Sequence, residues 1–401
     1  MIIGLGAMIG AGVFAAFGPA ARAAGKGLLL GLAVAAVVAY CNATSSARLA
    51  ALYPESGGAY VYGRKRLGPF WGFLAGFCFV IGKLASCAAM AMTFGSYASP
   101  SLARPLGVAA IFALTAVNYF GVEKTAAVTR VIVGIVLASL ATVVAAVWLG
   151  GATQASRLWP PSDASPYGVL QSAGFLFFAF AGYARVATLG EEVVDPARVI
   201  PKAIPLALGM TLVVYATVAV SALAGAGADA IGSSPAPLAT AVQQGALARL
   251  APAVRIGATV ASLGVLMSLM VGVSRTLFAM SANSDMPKFL SVVHPRYRVP
   301  HRAELVVGAI VASVAAIADL RTMIGFSSFA VLLYYAIANA AAWTLELERR
   351  RWPKAVAALG LMGCVVIAVT LPLVAVLGGT ALLMCGAAIY LVRRSRNTNE
   401  P

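Results

Sequence analysis

The chain is made almost wholly of apolar runs long enough to cross a lipid bilayer, and that leaves it one kind of environment. A helix needs about 20 apolar residues to cross the hydrocarbon core, and about twelve runs approach that length. They cover residues 1–20, 27–48, 71–97, 105–121, 127–149, 168–193, 203–226, 253–280, 303–319, 323–346, 354–371 and 373–392. Hydrophobic residues make up 61% of the 401 and charged residues only 10%, against roughly 25% charged in a soluble domain. No separate soluble domain fits in what remains. The fold class expected is therefore an all-α integral membrane protein.

The net charge of +16 follows the loops. Alternate loops carry Arg64-Lys65-Arg66, Lys124 with Arg130, Arg198 with Lys202, Lys288 through Arg302, Arg349-Arg350-Arg351 with Lys354, and Arg393, Arg394 and Arg396. The other loops hold Arg22, Lys26, Arg104, Arg157, Arg249, Arg255 and Arg321. A bias of roughly three to one is the positive-inside signature, and it places the 49–70 loop and both termini in the cytoplasm. The expected setting is the plasma (inner) membrane, with several passes. The basic charge then reports topology and contact with anionic lipid, not nucleic-acid binding.

Two glycine-rich interruptions stand out against this background. One is Gly4-Leu5-Gly6-Ala7-Met8-Ile9-Gly10-Ala11-Gly12-Val13-Phe14, and the other is Phe177-Phe178-Ala179-Phe180-Ala181-Gly182-Tyr183-Ala184-Arg185. Backbone polar groups at bilayer depth must be paired, so irregular backbone is tolerated there only where it lines a cavity. Paired interruptions at corresponding places in two halves are the sequence pointer to a transporter's binding site. The breaks lie five spans apart. Two five-helix repeats of inverted topology are therefore expected, at 1–149 and 168–346. The outer loop 150–167 joins them, and two extra helices with a basic tail follow at 347–401. A bundle of two six-helix halves would put the breaks six apart. The first half-helix, up to Gly10, spans only about 13 Å, so the native start is expected upstream of Met1. Residues 229–252 read as an outer loop with a short surface helix. Gly4, Gly6 and Gly10 also mimic a dinucleotide fingerprint, but no strand can precede them and no acidic ribose partner follows.

Enzyme chemistry finds no footing. Cys41, Cys78, Cys87, Cys364 and Cys385 lie singly in apolar spans, and the two histidines, His294 and His301, share one loop. These spacings form no metal site and no nucleophile–base set, so neither cofactor nor metal is expected.

Several motifs together resemble the amino acid–polyamine–organocation (APC) superfamily. Gly6 through Phe14 is similar to the family's first-helix motif. Pro54-Glu55-Ser56-Gly57-Gly58-Ala59-Tyr60 is similar to the loop after its second helix, and Asn118-Tyr119-Phe120-Gly121-Val122 to the end of its fourth. Phe177 to Tyr183, then Gly190-Glu191-Glu192-Val193 and Pro196 to Ile204, resemble its sixth helix and the loop that follows. The resemblance runs along nearly the whole chain. It implies the leucine-transporter-type fold and transport of amino acids or related amines.

The residues support that implication chemically. A zwitterion needs donors for its carboxylate and acceptors for its ammonium. Amides of Gly10, Ala11 and Gly12, at the positive end of a half-helix, suit a carboxylate. Carbonyls near Met8 and Ile9, and near Phe178, Ala179, Phe180 and Ala181, suit an ammonium. From the glycines alone, close helix packing is the stronger reading; the resemblance favours the site. It also puts Phe178 in register with the family's gating aromatic.

Lys83 sits mid-span, where a lysine costs about 2.5–3.5 kcal/mol on insertion scales and usually faces a cavity or a partner. It reads either as a coupling or fixed cation, or as a structural lysine satisfied by helix-end carbonyls. Some proton-coupled members carry a lysine in the fifth helix; Val133-Gly134-Ile135-Val136-Leu137 has none here. Arg185, Glu191 and Glu192 read as ion-pairing gate residues. No carboxylate is expected deep in any span, which points to a neutral, or else an acidic, amino acid. Proton-coupled symport is the leading expectation. Exchange, sodium coupling through hydroxyls such as Ser268, and a non-transporting sensor or channel on the same scaffold are the alternatives.

Overall fold

The computed structural model describes residues 8–55, 57–121, 126–160, 164–183, 196–346 and 352–397, and the described residues are helical with no strand. Eight helical stretches among them are long and apolar enough to cross a membrane: Gly12–Leu52, Pro69–Ala98, Pro100–Tyr119, Ala127–Leu149, Pro201–Ser233, Ala248–Ala282, Leu320–Trp343 and Leu373–Val392. Pro166–Phe180 and Lys354–Thr370 are shorter apolar helices.

In chain order the helices are α1 (Gly12–Ala24), α2 (Leu28–Leu52), α3 (Ala59–Arg66), α4 (Pro69–Ala98), α5 (Ala103–Tyr119), α6 (Ala126–Leu149) and α7 (Pro166–Phe180). Then follow α8 (Pro196–Ser233), α9 (Pro237–Gln243), α10 (Ala251–Ala282), α11 (His301–Ile317), α12 (Leu320–Trp343), α13 (Lys354–Thr370) and α14 (Leu373–Asn397). Local chemistry sets several starts. Pro69 and Pro166 occupy first-turn positions, where a missing N–H costs nothing. Ser165 caps α7 by accepting from the Gly168 amide at 3.0 Å. Asp319 caps α12 by accepting from the Thr322 amide at 3.0 Å.

Helices α4 and α12 are the most enclosed and pack along one another as the centre of the bundle, whereas α5 and α14 expose most of their surface. Small residues permit the central contact. A Cβ added at Gly82 of α4 would lie 3.0 Å from Ala330 Cβ and Val331 Cγ2 of α12, the close approach that packs helices in a membrane. All five cysteines are free; Cys41, Cys78, Cys87 and Cys364 are buried and Cys385 is exposed, as expected of small hydrophobic packing residues.

The surface helix expected within 229–252 is corrected. Helix α9 is inserted in the protein, with Pro237, Leu238, Ala239, Ala241 and Val242 all buried. Its apolar face outweighs the glutamines that made the segment look solvated, and only Gln243 and Gln244 stay exposed at its end. The Tyr97 hydroxyl of α4 fixes it in place, donating to the Phe14 carbonyl at 3.2 Å and accepting from the Leu238 amide at 3.3 Å. Helix α9 is thereby joined to the first turn of α1.

Candidate functional site

The first interruption is a true break in the helix. The Gly10 amide donates to the Met8 carbonyl at 2.9 Å, a two-residue closure no α-helix makes. The helical ladder restarts where Ala11 accepts from Phe14 and Ala15 at 3.1 and 3.2 Å. The first-turn amides of α1 have no intrahelical partners, and they head a helix dipole. The second interruption ends α7 at Phe180 and passes through one 3-10 turn, Ala181–Tyr183. Arg185, Glu191 and Glu192 lie outside the described residues.

The two breaks meet. A Cβ placed on Gly12 would lie 2.8 Å from Ala179 Cα and 3.1 Å from Ala179 Cβ, so one backbone presses on the other. Tyr215 of α8 joins them. Its buried hydroxyl lies 2.5 Å from the Met8 carbonyl and 3.1 Å from the Ala179 carbonyl. One hydroxyl has one proton, so the two carbonyls compete for it and one keeps accepting capacity to spare.

A cavity of about 50 Å³ opens at this meeting point. Met8, Gly10, Ala11 and Gly12 line one side, and Phe178, Ala179, Ala181 and Gly182 another. Lys83, Ser86 and Met90 of α4 and Val265 and Leu269 of α10 close the rest. Most of the residues singled out in the sequence are thus brought together. Two are not: Ile9 is buried off the cavity, and Phe180 packs on the Tyr215 ring, centroids 5.1 Å apart. Ser268 does not line it either, and its hydroxyl donates to the Gly264 carbonyl of its own helix at 3.0 Å.

Lys83 is 8% exposed and aims at this cavity. Among the described residues its ammonium has no hydrogen bond or ion pair, and the Phe79 ring centroid lies 5.8 Å away. The helix-end carbonyls of the structural reading are not its partners. Beside it Ser86 shares a 2.6 Å hydrogen bond with Ser327 of α12. None of the described lining residues is acidic, and Lys83 carries the only formal charge among them.

At the other end of α4, α3 is tied to the end of α10. Asp285 accepts from the Tyr60 hydroxyl at 2.7 Å and pairs with Arg64 at 2.5 Å. Burial, reinforced by the hydrogen bond to Asp285, pushes the Tyr60 phenol well above its ordinary range. Its proton stays on as the donor of this link. An enclosed carboxylate sits at a helix start, Glu304 in the first turn of α11. It is 2% exposed and accepts from the Ser274 hydroxyl at 2.5 Å. It follows a basic loop in sequence, and the packing of α10 against α11 encloses it. It does not line the cavity.

Sequence reasoning missed Tyr215, Ser86 and Ser327. Ser and Tyr are common in apolar helices, and only the tertiary fold distinguishes these. Replacing Tyr215 with phenylalanine leaves two buried carbonyls without their shared donor, at a cost of about 1–3 kcal/mol. The expected result is a lower Tm in detergent together with impaired transport; wild-type melting and wild-type uptake would remove Tyr215 from the site.

The comparisons with known proteins agree with this geometry. The amino acid permease family profile matches residues 1–389. An uncharacterized transporter of Mycobacterium tuberculosis is 60% identical over 394 residues, covering 98% of this chain and 90% of its own. The branched-chain amino acid permease of Bacillus subtilis is 25% identical over 426 residues, covering 98% and 90%. Human cationic amino acid transporter 4 is 26% identical over 381 residues, covering 88% of this chain and 59% of its own. A match along nearly the full chain, with the two helix breaks meeting at a common cavity, identifies an integral membrane transporter protein that belongs to the amino acid permease family, within the APC superfamily.

Proposed function

We propose that the chain moves a neutral amino acid across the membrane by alternating access, in symport with protons. The observation that carries this reading is the cavity where the two breaks meet, with amide donors at the head of α1, carbonyl acceptors at Met8 and Ala179, and Lys83 as the only charge among its described lining residues. The donors suit the substrate carboxylate and the carbonyls its ammonium. A single cation on the wall disfavours a cationic substrate, and the likeness to a branched-chain permease supports a neutral one. The cavity of about 50 Å³ holds about four water-sized groups, about as many as the common backbone of an amino acid. A larger side chain displaces Phe178, which is 9% exposed on the cavity wall and acts as the gating aromatic.

In this reading about twelve spans form two inverted five-helix repeats, at 1–149 and 168–346, with two further helices after them. Both termini lie on the cytoplasmic side of the plasma membrane. Arg185, Glu191 and Glu192 belong to the inward gate. The test is uptake of labelled amino acids by proteoliposomes, with and without an inward proton gradient. Concentrative uptake of neutral amino acids that a protonophore abolishes supports symport. Uptake that needs internal amino acid and ignores the gradient makes the protein an exchanger, and saturable binding without any uptake makes it a sensor.

A further inference from the structure

The chain has two histidines, His294 and His301, and the fold brings them together. Their rings meet edge to face, centroids 5.1 Å apart. His294 lies in the connection from α10 to α11, between the 3-10 turn Lys288–Ser291 and the start of α11 at His301. Its ring centroid is 5.5 Å from that of Tyr119 at the end of α5 and 4.7 Å from that of Tyr297. Phe120 meets Tyr297 at 5.4 Å, and a Cβ on Gly121 would lie 3.1 Å from the Tyr297 carbonyl oxygen. One aromatic cluster thus packs the connection onto the end of α5.

One side-chain atom holds this turn in shape. The Nδ1 of His294 accepts from the backbone amides of Arg296 and Tyr297, both at 3.2 Å. The His294 carbonyl accepts from the Arg298 amide at 2.9 Å, and the His294 amide donates to the Val299 carbonyl at 2.8 Å. Arg298 has a φ of 55°, a conformation that residues other than glycine adopt rarely, so the turn depends on the bonds that hold it. Nδ1 accepts only while it carries no proton, and an imidazolium has an N–H on both nitrogens. Protonation of His294 therefore turns the acceptor into a donor that faces two donors, and both bonds are lost. The closed turn binds one proton fewer than the released one, so a fall in pH favours release. That sign follows from Nδ1 and is the same whatever group meets Nε2.

The titratable and charged groups on the elements around it are Tyr119 of α5, Arg275 of α10, and Asp285 and Lys288 in the connection. Arg296, Tyr297 and Arg298 lie in the turn itself, and Arg302 and Glu304 follow His301 on α11. Asp285 is engaged by Tyr60 and Arg64, and Glu304 by Ser274. Glu123 and Lys124, which follow α5, lie outside the described residues. Burial, with His294 and Arg302 close by, holds the His301 imidazole below its ordinary range. Its Nδ1 is buried and makes no hydrogen bond among the described residues, so His301 stays neutral while His294 takes the proton.

We propose that His294 is a pH switch on the cytoplasmic side, which releases the α10–α11 connection from the end of α5 as the cytoplasm acidifies and thereby slows transport. Helix α10 lines the cavity with Val265 and Leu269, so loosening its end withdraws support from that wall. In a proton symporter this acts as a brake on further proton entry. The brake and the cytoplasmic placement rest on the function proposed above; the release of the turn does not.

The test is hydrogen–deuterium exchange of the full chain in detergent at about pH 7.5 and about pH 5.5, near the two ends of the imidazole range. Rates are corrected for the intrinsic pH dependence of exchange, and melting at the higher pH controls for folding. In the wild type, protection of the Arg296 and Tyr297 amides should fall about tenfold at the lower pH. His294→Asn offers an amide oxygen that accepts as Nδ1 does and does not titrate, so it should stay protected at both. His301→Asn should keep the wild-type response. Unchanged protection in the wild type would overturn the switch, a comparison that stands even if His294→Asn fails to fold. A response kept in His294→Asn would overturn the assignment to His294. In proteoliposomes with the same pH on both sides, amino acid exchange should be slower in the wild type than in His294→Asn at the lower pH and equal at the higher. Equal rates at both would overturn the brake and leave symport standing. No uptake by either protein would overturn the transport reading and the brake with it, and leave the release of the turn to the exchange data.

Discussion

Replacing Gly12 with valine abolishes amino acid uptake in proteoliposomes, and replacing it with alanine reduces uptake severely. The reason is steric and local. The first side-chain atom at this position arrives 2.8 Å from Ala179 Cα and 3.1 Å from Ala179 Cβ. An approach that close to a backbone carbon cannot be relieved by a rotamer change, so one of the two broken segments must move. Moving either one opens the contact that forms the cavity and strains the hydrogen bonds from Tyr215 to Met8 and Ala179. Overpacking a tight interior costs about 1–3 kcal/mol, which a protein of this size survives, so alanine gives a folded but defective transporter. Ala179→Gly in the Gly12→Ala background removes the 3.1 Å contact but leaves the 2.8 Å one. Partial recovery is therefore expected, and full additivity of the two defects is not. Wild-type uptake by Gly12→Val would show that the two breaks do not need to touch.

Gly12 also marks how far the sequence is legible. Long apolar runs dictate helices because nothing else satisfies a backbone in hydrocarbon. Glycines that interrupt such runs are conspicuous for the same reason. Met8, Gly10, Ala11, Gly12, Phe178, Ala179 and Ala181 could thus be picked out, and all seven line one cavity. Lys83 was visible because a mid-span ammonium is expensive. What stayed hidden depends on the rotation of one helix against another. Tyr215 differs from other intramembrane tyrosines only in where its hydroxyl ends. Glu304 differs from a loop acid only because α10 covers it and Ser274 meets it. Helix α9 reads as solvated by its glutamines, yet its apolar residues find a receiving surface that local sequence does not describe.

The proposed proton coupling turns on Lys83, and three substitutions separate its possible roles. Its ammonium is buried on the cavity wall, unpaired among the described residues and 5.8 Å from the Phe79 ring centroid. A cation kept there without a carboxylate is stable only if something arrives to compensate it or if it sheds its proton. The substrate carboxylate can do the first, and an alternating-access cycle can use the second. Lys83→Met removes charge and proton together, and is expected to lose proton-driven accumulation while keeping exchange of internal for external amino acid. Lys83→Arg keeps a fixed charge that does not deprotonate at any working pH. If the proton carried by Lys83 is the coupled one, arginine behaves as methionine does. Should Lys83 serve only as a fixed cation for the substrate carboxylate, arginine retains accumulation and methionine raises KM. Lys83→Gln, polar but uncharged, tests the structural role: stability and accumulation both kept would mean that the ammonium merely fills space. The expected pattern is loss of accumulation in all three variants with exchange preserved, read as labelled uptake with and without a proton gradient, because coupling to a proton gradient needs a titrating group and Lys83 is the only ionisable one among the described residues of the wall.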